Sequence, residues 1–263
     1  MKLRPVYAVL EREVVRMFRQ RGRLLSAMVR PLIWLFVIGA GFGAIMDQAR
    51  GVPYQYFLVP GVLGMTMLFG AMLAALTTVY DKESGVMRMM IVAPLPHAWI
   101  VIAKLLSAAL AGIVQALLLL VVLALLGYLE PRTDWILLSV ALVTTSLACG
   151  GIGMLTASFT RTLDNFAAIM NFVIFPVFFL SGSLYPVHDL PQALRWIATL
   201  NPYTYGVDLL KHATLPRVAD FGAGFDLAVL AGFTLAALAA ASWRFSQESA
   251  YEPMIHVLAG RRG

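Results

Sequence analysis

The feature that most constrains this chain is a set of apolar runs, each long enough to cross a bilayer and nearly free of charge. Residues 61–79, GVLGMTMLFGAMLAALTTV, contain no ionisable side chain at all. A helix needs roughly 20 apolar residues to span the hydrocarbon core. Inside lipid every backbone N–H and C=O must be satisfied by a helix or a closed barrel, and unbroken runs indicate helices. Six runs qualify: residues 27–46, 57–79, 105–127, 135–158, 166–184 and 227–243. Hydrophobic residues make up 60% of the chain and charged ones 13%, about half the charged share of a soluble domain. The expected fold is an all-α integral membrane bundle of six transmembrane helices, one domain over residues 1–263.

Lysine and arginine set the expected orientation. With the N-terminus cytoplasmic, the inner segments carry Lys2, Arg4, Arg12, Arg16, Arg19, Arg21, Arg23, Arg30, Lys82, Arg88, Lys104, Arg161, Arg244, Arg261 and Arg262. The outer segments carry only Arg50, Arg132, Arg195, Lys211 and Arg217. Both termini are therefore expected in the cytoplasm. The net charge of +6 does not indicate nucleic acid, because the basic residues are not gathered with stacking aromatics on a polar face. Cys149 is the only cysteine and lies in an apolar run, so no disulfide forms within one chain. The N-terminus does not read as a cleavable signal, since its charged region runs for about thirty residues before the first apolar run.

Three segments between the runs stand out. In residues 6–21, Val6, Leu10, Val14, Met17 and Phe18 share one helical face while Arg12, Arg16 and Arg19 take others. Residues 1–26 thus read as a basic amphipathic helix along the cytoplasmic interface, the bland alternative being a flank that enforces topology. Gly22 and Arg30-Pro31 let the chain turn into the first span. The loop YDKESGVMRMMIVAPLPHAWIVIAK (residues 80–104) leaves the membrane through Asp81, Lys82 and Glu83 and turns at Gly85. It then offers a short Met-rich piece stopped by Pro94 and Pro96. So apolar a loop calls for cover, by a protein partner or by lipid headgroups.

The third segment, residues 185–211, follows the fifth run and is broken by Pro186, Pro191 and Pro202. Asp189 is the expected N-cap of a short helix with Leu190, Leu194 and Ile197 on one face, stopped by Asn201-Pro202. About 11 residues reach roughly 16 Å, half the core, so the segment reads as a re-entrant pair of short helices ending near residues 207–211. Backbone at that depth must be buried or face water. That places Tyr185, Pro186, Leu190, Leu194, Ile197, Asn201 and Pro202 at an external gate.

Other chemistry is missing from the sequence. His97, His188, His212 and His256 have no second ligand at metal spacing. No phosphate-binding Gly-x-x-x-x-Gly-Lys loop occurs, so ATP energy has to come from another polypeptide. The spans carry no Asp, Glu, Lys or Arg near their centres, which argues against ion-coupled transport. Gln115 and Asn171 read as interhelical hydrogen-bonding groups. Ser181 and Ser183 have no histidine in any span to serve as a base, which argues against intramembrane hydrolysis. Gly39 and Gly43 form a Gly-x-x-x-Gly pair suited to close packing, within a protomer or between two copies.

Several blocks resemble one family. YQYFLVPGVLGM (residues 54–65) and RMMIVAPLPHAWIVIAK (residues 88–104) are similar to its second span and to the loop that follows. The block ASFTRTLDNFAAIMNFVIFPVFFLSGSLYPVHDLPQALRWIATLNPYTYGVDLLK (residues 157–211) is the specific part. It has a span with an internal proline, then F-L-S-G, a Pro, L-P, and L-N-P-x-T-Y. The chain is identified by these as resembling ABC-2-type permeases, the membrane subunits of ATP-driven exporters, most closely the drug and nodulation-factor branch.

The resemblance implies a bacterial inner-membrane complex of two permeases, expected as a homodimer, and two cytoplasmic ATPase subunits. The chain itself would be no enzyme and hold no cofactor; ATP and Mg would sit on the ATPase. Residues 80–99 would form the coupling-helix loop, with Glu83, Gly85, Val86, Met87, Arg88, Met89, Met90, Val92, Pro94, Leu95 and Pro96 against the ATPase. Residues 6–21 would touch it too. A path between two permeases would run past Phe42, Phe69, Asn171, Phe172 and Phe175, and Gly39 and Gly43 would serve dimer packing. Such a path suits an amphipathic drug, lipid or glycolipid. The alternatives are a lipid-linked polysaccharide permease and an ATP-independent channel or scramblase.

Overall fold

Several helices of this chain end where a cap or a glycine stops them, and some run straight through charged residues. The computed structural model describes residues 29–43, 53–87 and 97–259, together with residues 7, 10–12, 15, 19 and 22, all of these last helical. In the long C-terminal stretch the side chains described are those of residues 98–247. Among the described residues every regular element is helical. Helix α1 covers Val29–Gly43, with a π-helical turn at Trp34–Ile38. Next come α2 (Tyr54–Glu83), α3 (His97–Leu125), α4 (Trp135–Phe159) and α5 (Leu163–Phe179). A 3-10 turn at Val187–Asp189 leads to α6 (Gln192–Leu200) and α7 (Pro202–Thr214). A second 3-10 turn, Pro216–Val218, precedes α8 (Ala223–Ala259).

Four of these are long and apolar enough to cross a membrane: α2, α3 from Ala98, α4, and α8 as far as Gln247. Helices α1 and α5 are apolar but shorter. The 17 residues of α5 rise about 26 Å. Sequence reading extends the fifth run to residue 184, but the helix stops at Phe179. The Ser181 amide turns to the Phe178 carbonyl at 3.3 Å, the Ser181 hydroxyl donates to the same oxygen at 2.6 Å, and Gly182 takes φ +76°. Only glycine enters that left-handed region at little cost. The second and third runs err the other way. Helix α2 continues through Asp81, Lys82 and Glu83, and α3 begins before Lys104, because those charges are paired and a paired charge does not end a helix.

Helices α2, α3 and α4 pack on one another in the centre, and α8 lies against α3 and α4. Helix α7 is inserted among α2, α4 and α8, and nearly all of it is buried. Helices α1 and α5 flank α2. Lipid tails are as apolar as leucine, so close packing of small residues supplies the association. A Cβ on Gly153 of α4 would lie 2.9 Å from the Ala75 Cβ of α2, and one on Gly150 would lie 3.0 Å from the Leu105 carbonyl of α3. The bundle has two polar ends, a lower one at Asp81 and an upper one at residues 180–226.

Candidate functional site

At the lower end three consecutive charges of α2 each hold a different part of the bundle. Asp81, 2% exposed, accepts from Lys104 Nζ of α3 at 2.5 Å and from Arg12 Nη2 of the N-terminal segment at 2.9 Å. Lys82 Nζ donates to the carbonyls of Ala157 and Ser158 at 3.1 and 3.2 Å. Those are carbonyls of the last turn of α4, beyond its regular i to i+4 bonds, and the Ala157 oxygen also accepts the Thr160 amide at 3.4 Å. The same ammonium lies 4.6 Å from the centre of the Phe245 ring of α8. The Glu83 carboxylate accepts from the Leu163 amide at 3.0 Å, capping α5 from outside with a negative charge at its positive end. The turn that follows uses Gly85 at φ +76°.

The residues expected to meet an ATPase therefore divide. Glu83 faces the first turn of its own α5. Met87 is buried in a cluster with Ile100, Val101, Leu105, Met154, Ala241 and Phe245. Gly85 and Val86 are half-exposed. Arg88, Met89, Met90, Val92, Pro94, Leu95 and Pro96 lie outside the described residues.

The upper end is built by the sequence Leu200-Asn201-Pro202-Tyr203-Thr204-Tyr205. Asn201 Oδ1 accepts from the Tyr203 amide at 3.1 Å as the N-cap of α7, and its Nδ2 donates to the Val177 carbonyl of α5 at 2.7 Å. Pro202 occupies the first helical position, where a missing N–H costs nothing. The hydroxyls of Thr204 and Tyr205 donate to the α6 carbonyls of Ala198 and Thr199, each at 2.7 Å. One short motif thus ties three helix ends. Beneath it α2 is cut away for close approach. A Cβ on Gly61 would lie 2.5 Å from the Ser183 carbonyl, and one on Gly64 would lie 2.5 Å from Tyr203 Oη.

The expected cap at Asp189 does not form. Asp189 ends the 3-10 turn, and Pro191 stands at the N-cap position of α6 without a side-chain cap. Arg195 supplies the local bonds, donating to the carbonyls of His188 and Leu190. Tyr185 donates to the Phe179 carbonyl, and Pro186 is buried. Leu190 is half-buried, while Leu194 and Ile197 are 39% and 49% exposed beside Trp196 and Leu200. The deeply placed helix is α7, and it extends to Thr214, past the expected end.

Sequence reading misses a buried ionic cluster around α7. Lys211, 1% exposed, donates to Asp220 Oδ2 at 2.9 Å and lies 3.8 Å from Asp208 Oδ1. Asp208 accepts the amides of Asp220 and Phe221 at 2.7 and 2.8 Å, fastening the loop before α8 to α7. His188 Nδ1 donates to Asp220 Oδ1 at 2.7 Å. Burial pushes the Asp220 carboxyl up. The Lys211 ammonium beside it, and the hydrogen bonds from Lys211 and His188, outweigh that and hold it below its usual value.

Asp208, His212 and Asp226 bring one ligand atom each within 4.8 Å of one another. His212 Nε2 already donates to the Phe221 carbonyl at 2.8 Å, and both Asp208 oxygens are taken up by backbone amides. A cation there would have to displace those bonds, so the donor set fits a latch between α7 and α8 better than a resident metal.

The residues expected along a path lie mainly on the side faces of α1 and α5. Phe42, Phe172 and Phe175 are exposed. Asn171 bonds within its own helix, to the Ala167 carbonyl at 3.2 Å. Phe69 is 6% exposed and lies beneath the Arg30 guanidinium, 4.2 Å from ring centre to Cζ. Gly39 and Gly43 are buried, and a Cβ on Gly39 would meet Gln55 of α2 at 3.2 Å. Gln115 is buried, and its Oε1 finds no hydrogen-bond partner among the described residues.

Residues 4–215 match the family described as ABC-2 type transporter, a span that takes in Arg12, the Asp81 joint and all of α7. Nodulation protein J of Rhizobium leguminosarum bv. viciae is 29% identical over 197 residues, 73% of this chain and 74% of that protein. Nodulation protein J of Rhizobium leguminosarum bv. trifolii is 30% identical over 193 residues, 72% of each. The ycf38 protein of Pyropia yezoensis is 25% identical over 215 residues, 78% of this chain and 72% of the relative.

Proposed function

The chain belongs to the ABC-2 type transporter family, and on that premise we propose that it is the membrane subunit of an ATP-driven exporter in a bacterial inner membrane. Two copies work with two copies of a separate cytoplasmic ATPase, which holds ATP and Mg. Helices α1 and α5 complete six spans, and the lower end faces the cytoplasm with both termini. The cargo is an amphipathic or lipid-like molecule, such as a drug, lipid or glycolipid.

The observation that carries this reading is the grip of Asp81, Lys82 and Glu83 on α3, α4 and α5. The segment expected to meet the ATPase begins directly after it. A displacement of that loop therefore reaches three helices and the N-terminal segment through short charged contacts, without bending any one helix. A packed bundle joined in this way moves as a body, which suits a switch between two discrete states. ATP drives the switch only because the ATPase binds it differently in the two states. At the upper end α6 and α7 act as the outer gate, α7 as the fixed part and α6 as the exposed part.

The test is co-purification with a candidate ATPase and ATP hydrolysis by the pair. Asp81→Asn is expected to leave the permease in the membrane while lowering transport per ATP hydrolysed at least several-fold. Unchanged coupling in that variant would remove the lower joint from the mechanism.

A further inference from the structure

Arg30 occupies a place where an arginine needs an explanation. Its guanidinium lies over the ring of Phe69. Phe69 is 15 residues from the start of α2 at Tyr54 and 14 from its end at Glu83, so the charge sits at the middle of the bundle's height. Arg30 is also exposed on the side of the chain. A guanidinium facing lipid at that depth is costly, and such residues mark a polar pathway or a partner.

Among the described residues no carboxylate is placed to answer it. Among the described residues Arg30 makes no ion pair. Of the acids described on α2, α5, α7 and α8, Asp81, Glu83 and Asp164 belong to the lower polar end and Asp208 and Asp226 to the upper one. The neighbourhood is built for an amphiphile. Trp34, one turn above Arg30, packs edge-on against Phe178 and Phe179 of α5. One turn below Phe179 is the exposed Phe175, which puts an aromatic ring of α5 at about the height of Arg30.

We propose that Arg30, held by Phe69, is the binding site for the anionic group of the transported molecule, so that the cargo is an amphiphile carrying a phosphate or carboxylate. The guanidinium offers paired N–H donors that match either group, and the ring beneath it fixes the plane of the fork. The apolar part of the cargo lies along Phe175 and its neighbours. This deepens the exporter reading and rests on it for the word cargo.

The test measures binding of radiolabelled dodecyl phosphate and dodecyl glucoside to the full-length permease in phosphatidylcholine nanodiscs, corrected for empty discs. The unaltered protein is expected to bind the phosphate at least about tenfold tighter than the glucoside. Arg30→Gln abolishes that preference without changing glucoside binding, and Arg30→Lys keeps most of it. Inorganic phosphate does not compete, because the site takes the anion together with its chain. Equal binding of the two probes by the unaltered protein, or an unaltered preference in Arg30→Gln, overturns the site, whichever variants fold. Displacement of the probe by phosphatidylglycerol in the discs, with no stimulation of the ATPase complex, would reassign the site to a resident lipid and overturn the cargo claim. Anion binding in a permease that activates no ATPase would leave the site standing and remove the exporter reading.

Discussion

Asn201 shows how much a single side chain can hold at a break in the chain. It caps α7 with its oxygen and satisfies a carbonyl of α5 with its nitrogen. Asn201→Ala is expected to destabilise the bundle by about 1–2 kcal/mol, read by thermal unfolding in detergent. Asn201→Asp keeps the acceptor and loses the donor, so it should fall between the two; equal stability of all three proteins would dismiss the tie to α5. Gly64 is the complementary case, where nothing fits but hydrogen. Gly64→Ala places a methyl 2.5 Å from Tyr203 Oη, and the strain is expected to cost about 1–3 kcal/mol. The sequence marks Asn201-Pro202 as a stop and says nothing of Gly64, because the need for that glycine comes from a residue 139 positions away in α7.

Elements were legible where the signal was local. The apolar runs of α2, α3, α4 and α8 are read from composition alone, and the turn at Gly85 from the one residue type that tolerates it. What stayed hidden depends on pairing across the chain. Asp81 meets Arg12 over 69 positions, so the sequence shows only a charged exit where the structure has a joint. Lys211 counts in the sequence as an outer-loop cation, yet in the fold it is buried on α7 between Asp208 and Asp220. Arg30 counts as a flank of the first span, yet it lies level with Phe69.

Two predictions belong at this scale. Asp81→Asn removes the carboxylate facing Lys104 and Arg12 and is expected to cost about 3–5 kcal/mol, much of it recovered in Asp81→Leu with Lys104→Met. A cost below about 1 kcal/mol would mean that the Asp81 carboxylate does not hold Lys104 and Arg12 in the fold. At the upper end the folded state lowers the Asp220 carboxyl. A lowered group stabilises the fold above its unfolded pKa and loses that contribution as pH falls through its lower, folded value. Acid titration from pH 5 down to about 2 should therefore weaken the unaltered protein more than Asp220→Asn. Parallel acid profiles would contradict the Lys211–Asp220 contact.

At the scale of the whole molecule, the described fold is a helical bundle with a fixed plug at one end and a charged joint at the other. That division suits a body whose lower end is driven and whose upper end opens. The Met-rich segment that precedes Pro94 and Pro96 follows the joint directly in the chain, the position from which a displaced loop would pull on it. The central claim is that ATP hydrolysed by another protein moves an amphiphile past this one. The most direct measurement reconstitutes the permease in liposomes with and without its candidate ATPase and follows a fluorescent anionic amphiphile across the bilayer. ATP-dependent movement is predicted only when both proteins are present, and Asp81→Asn is predicted to reduce it at least several-fold. Equal movement by the permease alone, without ATP, would make the chain a channel or scramblase and contradict the account.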